Sequence, residues 1–168
     1  MARKPSASLP FVDEHQCTAG ASLAQAWAGL VEELRSTFSG AHATAFARAV
    51  GCQHLLLDLL FPGKDATIVG FRAADVRPPH ALVLEGHHRF ARYRLSFRLA
   101  PDCEGTRLSA TTHAAFPGAA GAAYRALVIG TRLHVLVTRG ILRRAAARAQ
   151  RAAHRERLVD LGLSGQGK

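Results

Sequence analysis

An imidazole, a phenol and a hydroxyl are the groups in this sequence that the apolar pattern places where they could act on a bound molecule. They belong to His88, Tyr93 and Thr112. In the stretch 80–88, Leu82, Leu84, Gly86 and His88 fall on one side of an alternating pattern, and Tyr93, Phe97 and Thr112 join that side from the following stretches. A histidine and a tyrosine turned into an apolar space would orient a ligand. With His88 as general acid or base and Tyr93 beside it, they would promote an enolisation or cyclisation. The bland alternative is a core histidine with one hydrogen bond, a tyrosine at a sheet rim and a tolerated threonine. Tyr124, Thr131 and His134 face the same space from a later helical stretch, and the expected lining also includes Leu84 and Phe97. A bulge at Gly86 would reverse the phase and turn Glu85 and His87 inward instead.

Other chemistries find little support. His87 and His88 are adjacent on a strand and so point to opposite faces, and no third ligand stands at a metal-binding spacing, so no metal or other cofactor is expected. Cys17, Cys52 and Cys103 are odd in number and far apart, which suits reduced structural thiols. Cys17 follows His15 by two residues, but nothing nearby would activate a thiolate. Gly63 and Lys64 lack the rest of a phosphate-binding loop.

The elements that must position these residues follow from periodicity. Residues 11–19 alternate weakly as a first strand. Ser22 caps a helix over 23–38, in which Leu23, Trp27, Leu30, Leu34 and Phe38 recur at spacings of three and four. A second helix over 41–50 ends at Gly51. Strands then run over 55–61, 66–76 and 80–88, with Pro78 and Pro79 forming a connection because they lack ladder donors. The clearest strand has Tyr93, Leu95, Phe97 and Leu99 on one face against Arg92, Arg94, Ser96 and Arg98 on the other. The turn at 101–105 leads to a last strand over 106–116. From 118 the helical period returns. A helix continuous to 157 would reach about 60 Å, so it either breaks near Gly140 or projects. Ile129, Leu133, Leu136 and Val137 also widen its apolar surface beyond what one sheet covers.

This order implies an α+β fold in which a meander separates two helical regions. The stretches IVGFRAADVRPPHALVLEG and RYRLSFRLAPDCEGTRLSATTHAAF, followed by the long helix, resemble the START-like (SRPBCC) superfamily of the birch-pollen allergen, polyketide cyclases and lipid-transfer domains. The resemblance spans roughly 11–150 and rests on fold patterns rather than catalytic motifs. It implies a helix grip: a curved antiparallel sheet around a long C-terminal helix, enclosing an apolar cavity. The function it implies is binding or carriage of a small hydrophobic molecule such as a lipid or polyketide. A metal-free cyclase or dehydratase, or a module that dimerises through the C-terminal helix, are the alternatives.

Residues 1–10 read as a flexible tail, 11–152 as the domain and 153–168 as a basic tail. No stretch reaches the roughly 20 apolar residues of a membrane span, and no secretion signal is evident, so a cytoplasmic location is expected. The net charge of +10 comes with an Ala- and Arg-rich composition that GC-rich coding produces. It is read as a solvated surface, with no specific nucleic-acid partner. The same holds for Arg144, Arg148, Arg151 and Arg155, whose cationic helix face is backed only by alanines.

Overall fold

A computed structural model describes residues 9–58 and 61–161. Of the expected tails, residues 1–8 of 1–10 and residues 162–168 of 153–168 lie outside these bounds. Strand β1 (Phe11–Ala19) is followed by helices α1 (Leu23–Phe38) and α2 (Ala41–Val50). Strands β2 (Thr67–Ile68), β3 (Phe71–Arg77), β4 (Ala81–His88), β5 (Ala91–Asp102) and β6 (Gly105–Ala115) come next. Helix α3 (Gly118–Arg125), a π turn (Ala126–Gly130) and helix α4 (Leu133–Asp160) close the chain. The six strands form one antiparallel sheet in the order β1-β6-β5-β4-β3-β2, and the helices pack on one face of it. This is the α+β helix grip that the pattern implies.

Local chemistry accounts for the boundaries. Ser22 accepts the Gln25 amide at 3.3 Å while the Gln25 side chain accepts the Ser22 amide at 2.9 Å, a reciprocal cap that starts α1. Gly51 ends α2 with φ +76°, a left-handed conformation that a side chain would resist. Strands β4 and β5 pair without a register break, so Leu82 faces Phe97, Leu84 faces Leu95 and Gly86 faces Tyr93. No bulge at Gly86 reverses the phase. Glu85 therefore stays on the outer face, paired with Arg94 at 2.6 Å, and His87 is exposed.

The core forms where Leu30 and Leu34 of α1 and Ile141, Leu142, Ala145 and Ala149 of α4 meet the inward side chains of β4, β5 and β6. Leu84 is 0% and Phe97 1% exposed. Helices α1 and α4 approach closely at Gly29, where a Cβ would stand 2.7 Å from the Ala145 carbonyl oxygen. Over this contact lies a buried charge. Glu33, 2% exposed, receives Arg144 Nε at 2.5 Å, Arg148 Nε at 3.0 Å and the Thr37 hydroxyl at 2.8 Å. Two of the four C-terminal arginines read as a solvated face are thus bound to this carboxylate.

Three expected elements differ. Residues 55–58 form no strand, and 59–60 lie outside the described residues; Leu56 is 78% exposed while Phe61 is 1% exposed. A few anchoring contacts hold this segment along the sheet edge, among them the Asp58 amide on the Thr67 carbonyl at 2.8 Å, so its apolar run has no period-2 partner strand. The single strand expected over 66–76 is a hairpin, because Gly70 takes φ +85° and turns the chain between β2 and β3.

The long helix breaks at Thr131 and Arg132 instead of near Gly140. There the π turn unwinds, the Thr131 hydroxyl bonds the Leu127 carbonyl at 2.5 Å and Arg132 adopts φ +56°. Gly140 remains helical, and the space its missing side chain leaves is occupied by the Arg144 guanidinium reaching towards Glu33. Helix α4 also runs past residue 152 to Asp160, with Ala153 5% exposed and Gln25 bonded to Glu156 at 2.5 Å.

Candidate functional site

The unbroken pairing of β4 and β5 brings Gly86 under Tyr93. A Cβ at Gly86 would lie 2.4 Å from the Tyr93 ring and 2.2 Å from the Gly70 carbonyl oxygen, so only glycine lets the ring settle there. The Tyr93 hydroxyl then donates to the Gly70 carbonyl at 2.8 Å and stands 3.7 Å from Cys52 Sγ. Phe71 meets Tyr93 edge-on at 5.1 Å, with Phe38 behind it. Burial, reinforced by Cys52, pushes the Tyr93 phenol far above its ordinary range. Burial also raises the Cys52 thiol, against a smaller opposing effect from its bond to Tyr93. Neither group is a ready nucleophile at neutral pH.

His88 stands at the outer end of this array. Its ring is 5.4 Å from Tyr93, 4.9 Å from Tyr124 of α3 and 6.0 Å from Phe90; Phe90 in turn stacks on Tyr124 at 5.5 Å. His88 Nδ1 accepts the Phe90 amide at 3.1 Å. Burial, with His87 adding to it, holds the His88 ring below the usual imidazole range, so the neutral form prevails at pH 7. With Nδ1 an acceptor, the single ring proton sits on Nε2. Among the described residues neither this Nε2 nor the Tyr124 hydroxyl has a hydrogen-bond partner. The result is a half-buried aromatic wall carrying two unused polar groups.

The remaining expected residues go elsewhere. Leu84 and Phe97 belong to the core beneath the wall, and Thr131 is exposed at the helix break. His134 turns to β1, where its Nε2 is 2.7 Å from Asp13 Oδ2 and its Nδ1 is 3.2 Å from the Val128 carbonyl. His15 Nε2 lies 3.1 Å from the same Asp13 oxygen, and its Nδ1 accepts Arg139 Nε at 3.3 Å. With every one of these ring nitrogens engaged, the cluster acts as a latch from the edge strand to the helix break. Thr112 pairs with Asp13 in register, and Thr112 Oγ1 and Asp13 Oδ1 are buried without a partner.

Asp13, Arg139 and Phe90 were not singled out from sequence, and His15 and Cys52 were considered there only in connection with thiol chemistry that the sequence does not support. For Asp13 and His15 a signal exists: with Cys17 they occupy alternate positions of β1 and share its inner face. A surface cleft of about 440 Å³ lies at the opposite end of the molecule, between Ser22, Gln25, Glu156 and Asp160, and shares no residue with the wall. Among the described residues no helix is long and apolar enough to cross a membrane, and no three His, Cys, Asp or Glu side chains are placed to hold a metal.

No family model matches the chain, and no curated protein matches it in sequence. Solved structures do resemble it. The di-domain ARO/CYC protein StfQ of the steffimycin biosynthetic pathway superposes with a TM-score of 0.58 at 17% identity, over 86% of this chain and 52% of that one. The chain thus spans about half of StfQ. Protein NE0264 from Nitrosomonas europaea gives 0.52 at 14% identity, covering 84% of this chain and 96% of that one. Protein CV1439 from Chromobacterium violaceum gives 0.50 at 14% identity, covering 84% and 99%. At these identities the likeness is one of architecture: the chain shares the helix-grip fold of these proteins.

Proposed function

We propose that the protein binds a small, planar hydrophobic molecule with a carbonyl or phenolic oxygen, a polyketide-like aromatic rather than a simple acyl chain. The molecule lies against the wall of His88, Phe90, Tyr93 and Tyr124, and its oxygen accepts from His88 Nε2–H and the Tyr124 hydroxyl. The observation that carries this reading is the bond from the Phe90 amide to His88 Nδ1, which leaves a neutral N–H pointing out of aromatic surroundings with no partner among the described residues. The core between the sheet and α4 is filled by aliphatic and phenyl side chains, Phe97 among them, so the half-buried wall beside α3 suits a ligand better than the interior does.

A second reading has the same starting point. A neutral imidazole N–H polarises a carbonyl without taking up a proton, which would serve a cyclase- or dehydratase-like step on such a molecule. The ARO/CYC description of StfQ agrees with this reading but is a property of StfQ.

Alizarin, a planar aromatic with carbonyl and hydroxyl oxygens, tests the binding site by absorbance titration. His88→Ala and Tyr124→Phe should each weaken binding by about five- to tenfold, the worth of one hydrogen bond. Unchanged affinity in both variants would remove the wall as the site.

A further inference from the structure

Between Glu104 and Glu156 the chain contains no acidic residue and nine arginines. Over the part nearest the aromatic wall, those arginines alternate with large apolar side chains that the fold leaves uncovered. Leu127 is 63%, Leu136 67% and Val137 43% exposed. Arg125, Arg132 and Arg139 are exposed in the same segment, and among the described residues none of them pairs with a carboxylate. On α4, Leu136, Arg139 and Arg143 at spacings of three and four share one helix face. The break at Thr131 and Arg132 turns the preceding π turn, with Leu127, to the surface as well.

We infer that this bend docks on an anionic lipid bilayer surface, its leucines and valine entering the acyl boundary and its arginines meeting lipid phosphates. Apolar side chains flanked by cations are what interfacial binding requires. In the distal half of α4 alanines back the arginines, and the exposed Val159 and Leu161 stand beside Glu156 and Asp160, carboxylates that an anionic surface would repel. Nucleic acid would use the arginines but gives no role to three exposed aliphatic side chains. A two-fold contact with a second copy would cover the aliphatic groups but set each arginine patch against its twin. A bilayer satisfies both features. Leu127 lies one turn beyond Tyr124, so docking would place the aromatic wall at the membrane, although the inference stands without any ligand at that wall.

Co-sedimentation of the full chain at low salt tests it, with vesicles of phosphatidylcholine and phosphatidylglycerol in equal parts against phosphatidylcholine alone. Binding should require the anionic lipid and fall steeply as salt is raised. Arg125→Gln/Arg132→Gln should weaken it by about fivefold per charge removed. Leu127→Ser/Leu136→Ser, which changes no charge, should weaken it by about tenfold or more. Arg92→Gln/Arg98→Gln removes two exposed charges from the outer sheet face instead and should matter by less than about twofold. All six positions are exposed, and circular dichroism confirms that each variant is folded. The inference is overturned by absence of binding to the anionic vesicles, or by an equal effect of the sheet-face pair. It is also overturned by an unaffected leucine variant, by binding to a single-stranded RNA oligonucleotide in place of vesicles, or by leucine substitutions whose sole effect in light scattering is to dissociate a dimer.

Discussion

The two halves of the closing helical segment solve opposite problems with similar residues. Beyond Ile141, small side chains let α4 press against α1 at Gly29, and two arginines are spent on the buried Glu33. Before Gly140, leucine, valine and tyrosine alternate with arginine, the helix unwinds through a π turn, and it is held to β1 by the His134–Asp13 contact. One half fixes the fold. The other leaves an aromatic wall half covered and apolar side chains at the surface. The difference teaches that stability is concentrated in one stretch of what the periodicity presents as one helix, while the other is left free for the recognition proposed above.

Substitutions that strike only the distal half would test that division most severely. Arg144→Gln/Arg148→Gln leaves Glu33 buried without a cation and should cost about 3–5 kcal/mol in urea unfolding. Alizarin affinity of the folded variant should stay within about twofold. A loss below about 1 kcal/mol would mean that Glu33 is not held as a buried anion. Glycine replacements sharpen the contrast at smaller amplitude. Gly29→Ala forces a Cβ against the Ala145 backbone and should cost about 1–3 kcal/mol. Gly130→Ala, where a Cβ meets nothing within 4 Å, should be neutral or stabilise by about 0.5 kcal/mol. Equal costs at the two sites would erase the distinction.

Acid should act through the distal half too. Burial raises the Glu33 carboxyl, but bonds from Arg144, Arg148 and Thr37 outweigh it and leave the group below its ordinary value. The folded state therefore binds this proton more weakly than the unfolded chain. The stabilisation is complete above the usual glutamate range, about pH 4.3, and is lost as pH falls through the depressed value. Urea midpoints measured from about pH 5 downward should decline less in Glu33→Gln than in the parent. The smallest effect belongs to the break itself. Arg132→Gly relieves a left-handed residue and should raise stability by about 1 kcal/mol or less.

Much of the architecture is written in local pattern. Ser22 with Gln25, the face Tyr93, Leu95, Phe97 and Leu99, and the closing Gly51 each specify their element because the same residues satisfy both backbone and core. The segment 55–58 misled because its leucines resemble a strand, yet it bonds to the sheet through only a few backbone groups. The helix break was misplaced because glycine is the usual marker of a break. Here the marker is a threonine back-bond and a π turn, while Gly140 serves the side chain of Arg144. At the site, His88, Tyr93 and Tyr124 share a face by strand phase and helix spacing and were legible. Asp13 was not, because its partner His134 lies 121 residues away and only the tertiary fold brings them together.

Hydrogen exchange with and without alizarin tests the central claim most directly. Amides of 118–139 should exchange faster than those of 141–153 in the free protein. Alizarin should slow exchange at 86–93 and 118–130 while leaving 141–153 unchanged. Uniform protection along both helical halves, or protection by alizarin confined to the cleft between Ser22 and Glu156, would contradict the account.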